Sequence, residues 1–188
     1  MRQVNATDVA RAARLIGSGG VVAYPTEACF GLGCDPESRS ALKRILQIKS
    51  RPAGMGMIVI AHCIEILLPY LSIRHESVLD EPLASWPGPY TWIFPASRKA
   101  SHLLCANRST IAVRVTAHPI AAQLTCLANS AIVSTSANVH GKLPIREYGM
   151  VRRQMGSNLD FVVRGPIGGH RNPTQIRDAQ TGQLLRAA

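Results

Sequence analysis

Residues 7–24, TDVARAARLIGSGGVVAY, contain a helix signal followed directly by a strand signal. Thr7 or Asp8 is placed to cap a helix, and the glycine-rich run at 17–20 would end it. Residues 21–24 are then typical of a buried strand. The apolar face of this predicted helix consists of Val9, Ala12, Ala13 and Ile16. A helix that leads straight into a buried strand favours an α/β fold.

The same alternation continues along the chain. Ser38 or Ser40 opens a second predicted helix, and Pro52 forces the chain out of helical conformation, which leaves Lys49 and Arg51 where the helix passes into a loop. Further strands are predicted at 57–60, 90–95, 111–115, 131–136, 159–164, 175–178 and 183–186, and helices near 63–71, 119–128 and 146–155. We expect a mixed sheet with flanking helices. Since no repeat or long linker divides the chain, residues 1–188 are predicted to form one domain.

Composition narrows the class of protein. The chain has 188 residues, of which 46% are hydrophobic, enough for one core without disulfides or a structural metal. The longest apolar run, 56–73, is interrupted by His62, Glu65 and Pro69, so no membrane span is expected. Charges are spread through the amino terminus, which argues against a signal peptide. We therefore expect a cytoplasmic protein.

The net charge is +10, and it is unevenly distributed. No acidic residue occurs between Glu81 and Glu147, and a second stretch without acidic residues runs from 38 to 64. Such a surface either serves solubility or contacts phosphate or nucleic acid. Charge alone does not distinguish a nucleotide from an RNA.

Cysteine and histidine spacing gives no sign of a metal centre. The five cysteines, at 29, 34, 63, 105 and 126, include no CxxC pair, and the six histidines are scattered. This pattern predicts reduced thiols, with neither a disulfide framework nor zinc.

Four polar clusters at the ends of apolar strands are candidates for chemistry: YPTEACFGLG (24–33), KSRP (49–52), AVRVT (112–116) and STSAN (134–138). A P-loop and a complete dinucleotide fingerprint are both missing. Each cluster also has a structural interpretation. The threonine at 26 could satisfy its own turn, Lys49 and Arg51 could complement a helix dipole, and STSAN could be a simple turn.

Arg114 is the most informative single residue. It lies in the middle of the apolar strand predicted at 111–115 and must either face solvent or pair with an anion, for which a bound carboxylate is suited. The hydroxyls and amide of STSAN suit polar ligand groups. Lys49 and Arg51 suit neighbouring phosphate oxygens.

In this order, and with WPGP (86–89), HP (118–119), NPTQIRDA (172–179) and LLR (184–186), these motifs resemble the YrdC family of threonylcarbamoyl-AMP synthases, most closely its short bacterial single-domain form. The resemblance covers nearly the whole chain. It implies an open, twisted α/β sheet with a concave basic cavity, similar to dihydroxybutanone phosphate synthase.

The resemblance also implies an activity: L-threonine, bicarbonate and ATP would be converted to threonylcarbamoyl-AMP and pyrophosphate, for threonylcarbamoyladenosine modification of tRNA beside the anticodon. ATP would be a substrate, and Mg²⁺ would be bound through the phosphates of ATP. The implied partners are tRNA or double-stranded RNA and the proteins of the tRNA threonylcarbamoyl-transfer complex.

Residue roles are carried over from the matching motifs. Threonine binding is implied for Thr26, Arg114, Ser134 and Thr174. Catalysis is implied for Lys49 and Arg51. ATP binding is implied for that pair together with Thr110, Ser136, Asn138 and Arg186. The chain departs from the family pattern at two places. Many members have Thr where this chain has Ala28, and a Lys or Asn followed by Pro or Gly where it has Met55 and Gly56, so that Met55 removes a possible polar contact near the phosphates.

Two other functions are compatible with the sequence. One is an RNA-binding or ribosome-maturation module, supported by the charge but opposed by the low aromatic content of 5%. The other is a carbamoyl-handling domain like that of hydrogenase maturation factors, which occurs in much longer chains.

Overall fold

A computed structural model of the protein describes residues 5–52, 54–170 and 172–187. Within these residues nine strands form a sheet in the order β7-β1-β2-β6-β3-β5-β4-β8-β9. The pairs β1–β7, β3–β5 and β4–β8 are parallel and the others antiparallel. The predicted α/β class with a mixed sheet is confirmed.

The described strands are β1 Val22–Pro25, β2 Phe30–Gly33, β3 Ile58–Ala61, β4 Tyr90–Pro95, β5 Thr110–Val115, β6 Ile132–Ser136, β7 Phe161–Val162, β8 Gln175–Asp178 and β9 Leu184–Arg186. The helices are α1 Ala6–Gly17, α2 Arg39–Ile48, α3 Asp80–Ser85, α4 His102–Cys105, α5 Pro119–Ala128 and α6 Tyr148–Met155.

Helix α1 begins two or three residues earlier than its sequence signal indicates. The cap is Asn5, whose side chain accepts a hydrogen bond from the Thr7 backbone N–H at 3.1 Å, so the prediction of Thr7 or Asp8 as the cap is wrong. An amide oxygen at this position satisfies an amide that the helix leaves unpaired, as a serine or threonine hydroxyl would. The predicted apolar face is buried, and the helix ends at Ser18.

Helices cover both faces of the sheet. Successive strand residues point to opposite sides. Val22 and Tyr24 therefore belong to the hydrophobic cluster that includes residues of α1 and α5, whereas Ala23 belongs to the cluster that includes residues of α2, α4 and α6. The two hydrophobic clusters that result bury the apolar residues of the strands on either side. Helices α1 and α5 cover only part of one face of the sheet. The site described below lies on the uncovered part of that face.

Several element predictions agree with the structure and others do not. Strands β4 and β8 and helix α5 have the predicted bounds, and Ser38 caps α2. The helix predicted near 63–71 is wrong: bends and turns lead to a short 3₁₀ helix, Leu68–Tyr70, whose Pro69 has no N–H to give to an α-helix. The strand predicted at 159–164 is only two residues long, and β2, α3 and α4 were not predicted.

No helix among the described residues is long and apolar enough to cross a membrane. The assignment of residues 1–188 to a single domain stays a prediction.

Candidate active site

The floor of the site is one face of the central strands. Gly31 lies opposite Ser136, and Ile58 lies opposite both Ser134 and Ala112 in the sheet register. Paired residues point to the same side of a sheet. Their small or polar side chains leave room there, and a cavity of about 810 Å³ lies above them. This volume is within the range typical of small-molecule sites.

All ten residues to which the sequence assigned a role line this one cavity. They come from segments that are far apart in the chain: Thr26, Lys49, Arg51, Thr110, Arg114, Ser134, Ser136, Asn138, Thr174 and Arg186. Their roles toward substrates stay predictions, but their convergence on one cavity is a property of the fold.

Lys49 lies at the carboxyl end of α2, where the helix passes into a loop as predicted. Its ammonium donates to the Ser136 carbonyl, to the Asn138 carbonyl at 2.9 Å and to Asn138 Oδ1 at 3.1 Å. The residue is only 2% exposed, and burial, helped by the nearby Arg51 charge, lowers the pKa of Lys49 to about 8. Lys49 is therefore a buried side chain that is mostly charged at neutral pH, and its ammonium lies at the end of β6.

The STSAN segment forms a network of hydrogen bonds around this ammonium. Ser136 Oγ donates to Asn138 Oδ1 at 2.6 Å, and Asn138 Nδ2 donates to the Lys142 carbonyl at 2.6 Å. The turn interpretation of STSAN is wrong for Ser134, Thr135 and Ser136, which lie in strand β6, and only the two residues that follow form a bend. Four of the five residues, Ser134, Thr135, Ser136 and Asn138, line the cavity.

Arg51 stands beside Lys49 and is also held by the protein. Its guanidinium donates to Thr135 Oγ1 at 3.1 Å and to the Gly56 carbonyl at 2.7 Å, while its buried Nε has no hydrogen-bond partner among the described residues. Burial lowers the pKa of Arg51 from its usual value. Two neighbouring cations oriented in this way suit phosphate oxygens.

Thr26 begins the turn between β1 and β2. Its hydroxyl donates to the Cys29 carbonyl at 2.8 Å, which is the local role that the sequence allowed. The same side chain lines the cavity, so the structural and ligand-binding interpretations do not exclude each other.

Arg114 has an anionic partner within the protein. It is 4% exposed and lies 3.3 Å from the carboxylate of Glu27, measured from Nη2 to Oε2, while its Nη1 donates to Thr174 Oγ1 at 3.1 Å. The sequence predicted that Arg114 needs an anion but did not identify Glu27. Thr174 also accepts a hydrogen bond from Arg186 at its carbonyl oxygen, at 2.7 Å, and so links two cations.

Cations and hydroxyls supply most of the polar groups of a lining that also contains apolar residues such as Ile58, Ile93 and Leu104. Arg108 and Arg146 also line the cavity, although no sequence motif assigned them a role there. None of the described residues that line it carries a carboxylate, and no group of three or more His, Cys, Asp or Glu in the described part of the chain is placed to hold a metal ion. This set of donors suits anions.

The residues at which the chain departs from the family pattern, Ala28, Met55 and Gly56, all line this cavity. The Met55 side chain is 40% exposed. Neither the Ala28 nor the Met55 side chain carries a hydroxyl, amide or charged group.

Comparison with known proteins shows where the chain belongs. The Sua5/YciO/YrdC family model, which carries the description telomere recombination, matches residues 14–188. The chain is a member of this family. The resemblance found from the motifs is confirmed, and the family match includes every residue assigned to the cavity.

Individual members of the family are similar over most of the chain. A threonylcarbamoyl-AMP synthase of Halorhodospira halophila is 47% identical over 178 residues, which cover 95% of this chain and 93% of that protein. The crystal structure of P. abyssi Sua5 complexed with L-threonine has a TM-score of 0.91 at 28% identity and covers 98% of this chain. This chain spans 55% of that Sua5 chain.

The crystal structure of E. coli YciO has a TM-score of 0.86 at 24% identity, covering 97% of this chain and 89% of that one, and shows the shared fold. The similarity to dihydroxybutanone phosphate synthase stays a prediction.

Proposed function

We propose that this member of the Sua5/YciO/YrdC family is a threonylcarbamoyl-AMP synthase. It combines L-threonine, bicarbonate and ATP into threonylcarbamoyl-AMP and releases pyrophosphate. The name of the similar H. halophila protein and the L-threonine in the P. abyssi Sua5 structure support this assignment. The observation in this chain that carries it is the convergence of four cationic, five hydroxyl-bearing and one amide residue on one cavity of about 810 Å³.

We divide the cavity into a threonine subsite and an ATP subsite according to the side chains that line each part. Thr26, Arg114, Ser134 and Thr174 bind threonine, with the guanidinium facing its carboxylate. Lys49 and Arg51 bind the triphosphate and act in catalysis, and Thr110, Ser136, Asn138 and Arg186 complete the ATP site. Mg²⁺ enters with ATP as part of the substrate, since the lining offers cations and hydroxyls in place of a carboxylate cage.

The proposed chemistry uses no protein nucleophile. The amine of threonine and CO₂ from bicarbonate give a carbamate, and a carbamate oxygen attacks the α-phosphorus of ATP while the bond to pyrophosphate breaks. Charge builds up on the leaving pyrophosphate, and Lys49 and Arg51 neutralise it. Because the carbamate and the mixed anhydride both hydrolyse readily, a cavity that excludes water protects them.

We place the product in tRNA modification, where the threonylcarbamoyl group is transferred to an adenosine beside the anticodon. The partners proposed are the proteins of the threonylcarbamoyl-transfer complex and the tRNA itself, and the location proposed is the cytoplasm. The net charge of +10 supports direct contact with tRNA or another double-stranded RNA.

The test is synthesis from purified components without RNA. Protein, ATP, L-threonine, bicarbonate and magnesium are mixed, and threonylcarbamoyl-AMP and pyrophosphate are followed by mass spectrometry and a phosphate assay. We expect both products in equal amounts, and neither when threonine is omitted. A protein that binds tRNA but makes no adenylate would refute the synthase and favour an RNA-binding module.

A further inference from the structure

A buried carboxylate lies behind the cavity and has no place in the proposed division of the site. Glu27 is 4% exposed, and its Oε1 accepts a hydrogen bond of 2.7 Å from the hydroxyl of Thr116, which is 2% exposed. Its Oε2 lies 3.3 Å from Arg114 Nη2 but forms no hydrogen bond with any described residue. Glu27 and Thr116 do not line the cavity, whereas Arg114 does.

The backbone holds Glu27 in place. The Gly168 N–H donates to the Thr26 carbonyl at 2.9 Å, and the His170 N–H donates to the Glu27 carbonyl at 3.2 Å. A Cβ on Gly168 would lie 2.5 Å from the Glu27 carbonyl oxygen. Any larger residue at 168 would therefore clash with the Glu27 backbone. The carboxylate is therefore fixed by its backbone and by Thr116.

The carboxylate is ionised at neutral pH. Burial alone would raise the pKa of Glu27, but the Arg114 charge and the Thr116 hydrogen bond hold it below its usual value. A buried guanidinium without a partner is costly, and a fixed carboxylate both offsets that cost and limits where the guanidinium lies.

Arg114 keeps hydrogen-bonding capacity for a ligand. Its contact with Glu27 is an ion pair without a hydrogen bond, and its buried Nε has no acceptor among the described residues. Burial lowers the pKa of Arg186, which lies in the proposed ATP site, and the Arg114 charge lowers it further. Without Glu27 this guanidinium would be one more cation near the triphosphate.

We propose that Glu27 is a positioning residue: through its ion pair it holds Arg114 in the threonine subsite, oriented toward the amino-acid carboxylate and away from the phosphates of ATP. This inference rests on the proposed function. Glu27 itself touches neither substrate. Its removal should therefore weaken threonine binding and leave ATP binding intact.

The main test is Glu27→Gln, with KM measured for each substrate. We expect the KM for L-threonine to rise at least tenfold, the KM for ATP to change less than threefold, and kcat at saturating threonine to stay within threefold of the unaltered protein. Glu37→Gln is the matched control, because Glu37 also pairs with a cation, Lys99 at 2.9 Å, on the exposed surface. Equal changes in both KM values would overturn the positioning role.

A second pair of variants keeps the inference testable if Glu27→Gln folds poorly. Thr116→Val removes the hydrogen bond to Glu27, and Thr116→Ser keeps it. We expect a threefold to tenfold rise in the KM for threonine with valine, and recovery with serine. Threonine KM values that depend only on the melting temperature of each variant would assign Glu27 to stability alone.

The two proposals fail in different ways. Binding of L-threonine by calorimetry, without ATP, tests Glu27 even if no product forms. An unaltered protein that binds threonine but makes no adenylate refutes the synthase, and the Kd of Glu27→Gln then decides the positioning role. Product formation with an unchanged threonine Kd in Glu27→Gln refutes the positioning role alone. A protein that neither binds threonine nor makes product refutes both.

Discussion

The ammonium of Lys49 is buried against three oxygen acceptors from Ser136 and Asn138, and this environment sets how its charge responds to pH. Burial lowers its pKa from the ordinary 10.5 to about 8. The charged form is thus complete below about pH 7 and is lost as pH rises through 8. A cation required for triphosphate binding would disappear over the same range.

We therefore expect the affinity for MgATP, measured by calorimetry, to fall about tenfold between pH 7.5 and 9.5, which is about 1.4 kcal/mol of binding free energy. Lys49→Arg keeps its charge across this range, so its affinity should change less than twofold. An equal fall in both proteins would assign the pH dependence to another group.

In the proposed site, Arg51 binds the same triphosphate as Lys49, from the loop after α2. We expect Arg51→Ala and Lys49→Ala each to lower kcat at least about tenfold, equivalent to roughly 1.4 kcal/mol of transition-state stabilisation. Lys43→Ala, on the exposed side of α2, is the control and should retain the kcat of the unaltered protein. Near-normal rates in both cavity variants would remove these residues from the mechanism.

At the scale of single elements, strand β2 shows how little space the central sheet leaves. A Cβ at Gly33 would lie 2.6 Å from Tyr24 Cε1 and 2.8 Å from the Val133 carbonyl oxygen. Tyr24 is fully buried, and the carbonyl belongs to the neighbouring part of the sheet, so neither can move easily. Glycine at this position is a packing requirement.

We expect Gly33→Ala to lower the free energy of unfolding by about 1–3 kcal/mol in urea titrations. Gly149, in α6, has nothing within 4 Å of its Cβ position, so Gly149→Ala should raise the free energy of unfolding by roughly 0.5–1 kcal/mol. Shifts of the same sign in both variants would contradict this packing argument.

The strands that the sequence predicted well are those with a clear apolar pattern, such as β4 and β8. The short β2 escaped prediction because its glycines resemble a turn. The helix predicted near 63–71 failed because an apolar run without regular periodicity is equally compatible with the turns that the structure shows there.

At the scale of the whole molecule, the excess of positive charge should govern contact with RNA. Two phosphate contacts already predict about a tenfold loss of affinity between 50 and 200 mM salt. We expect binding of tRNA, measured by fluorescence anisotropy, to weaken at least that much, while RNA-free adenylate synthesis continues across the same range. Binding of tRNA that is insensitive to salt would contradict a phosphate-based contact.

The site was predictable to the extent that motifs mark its residues. Thr110, Arg114, Ser134 and Ser136 could also have been found from their alternation within apolar strands, which places polar or small groups on one face. Glu27 could not, because its hydrogen-bond partner Thr116 lies 89 positions along the chain and only the folded sheet brings them together.

Strand β6 joins two parts of the sheet that come earlier in the chain, because it pairs with β2 on one side and β3 on the other. A nascent polypeptide that has emerged only as far as β5 would hold a β1–β2 hairpin and a separate β3–β5–β4 fragment. Pairings across such long sequence separations have high contact order and form slowly. The floor of the cavity includes residues from both of these parts of the sheet and from β6 between them. The cavity is therefore complete only after β6 has paired, and substrate binding would report on one of the later steps of folding.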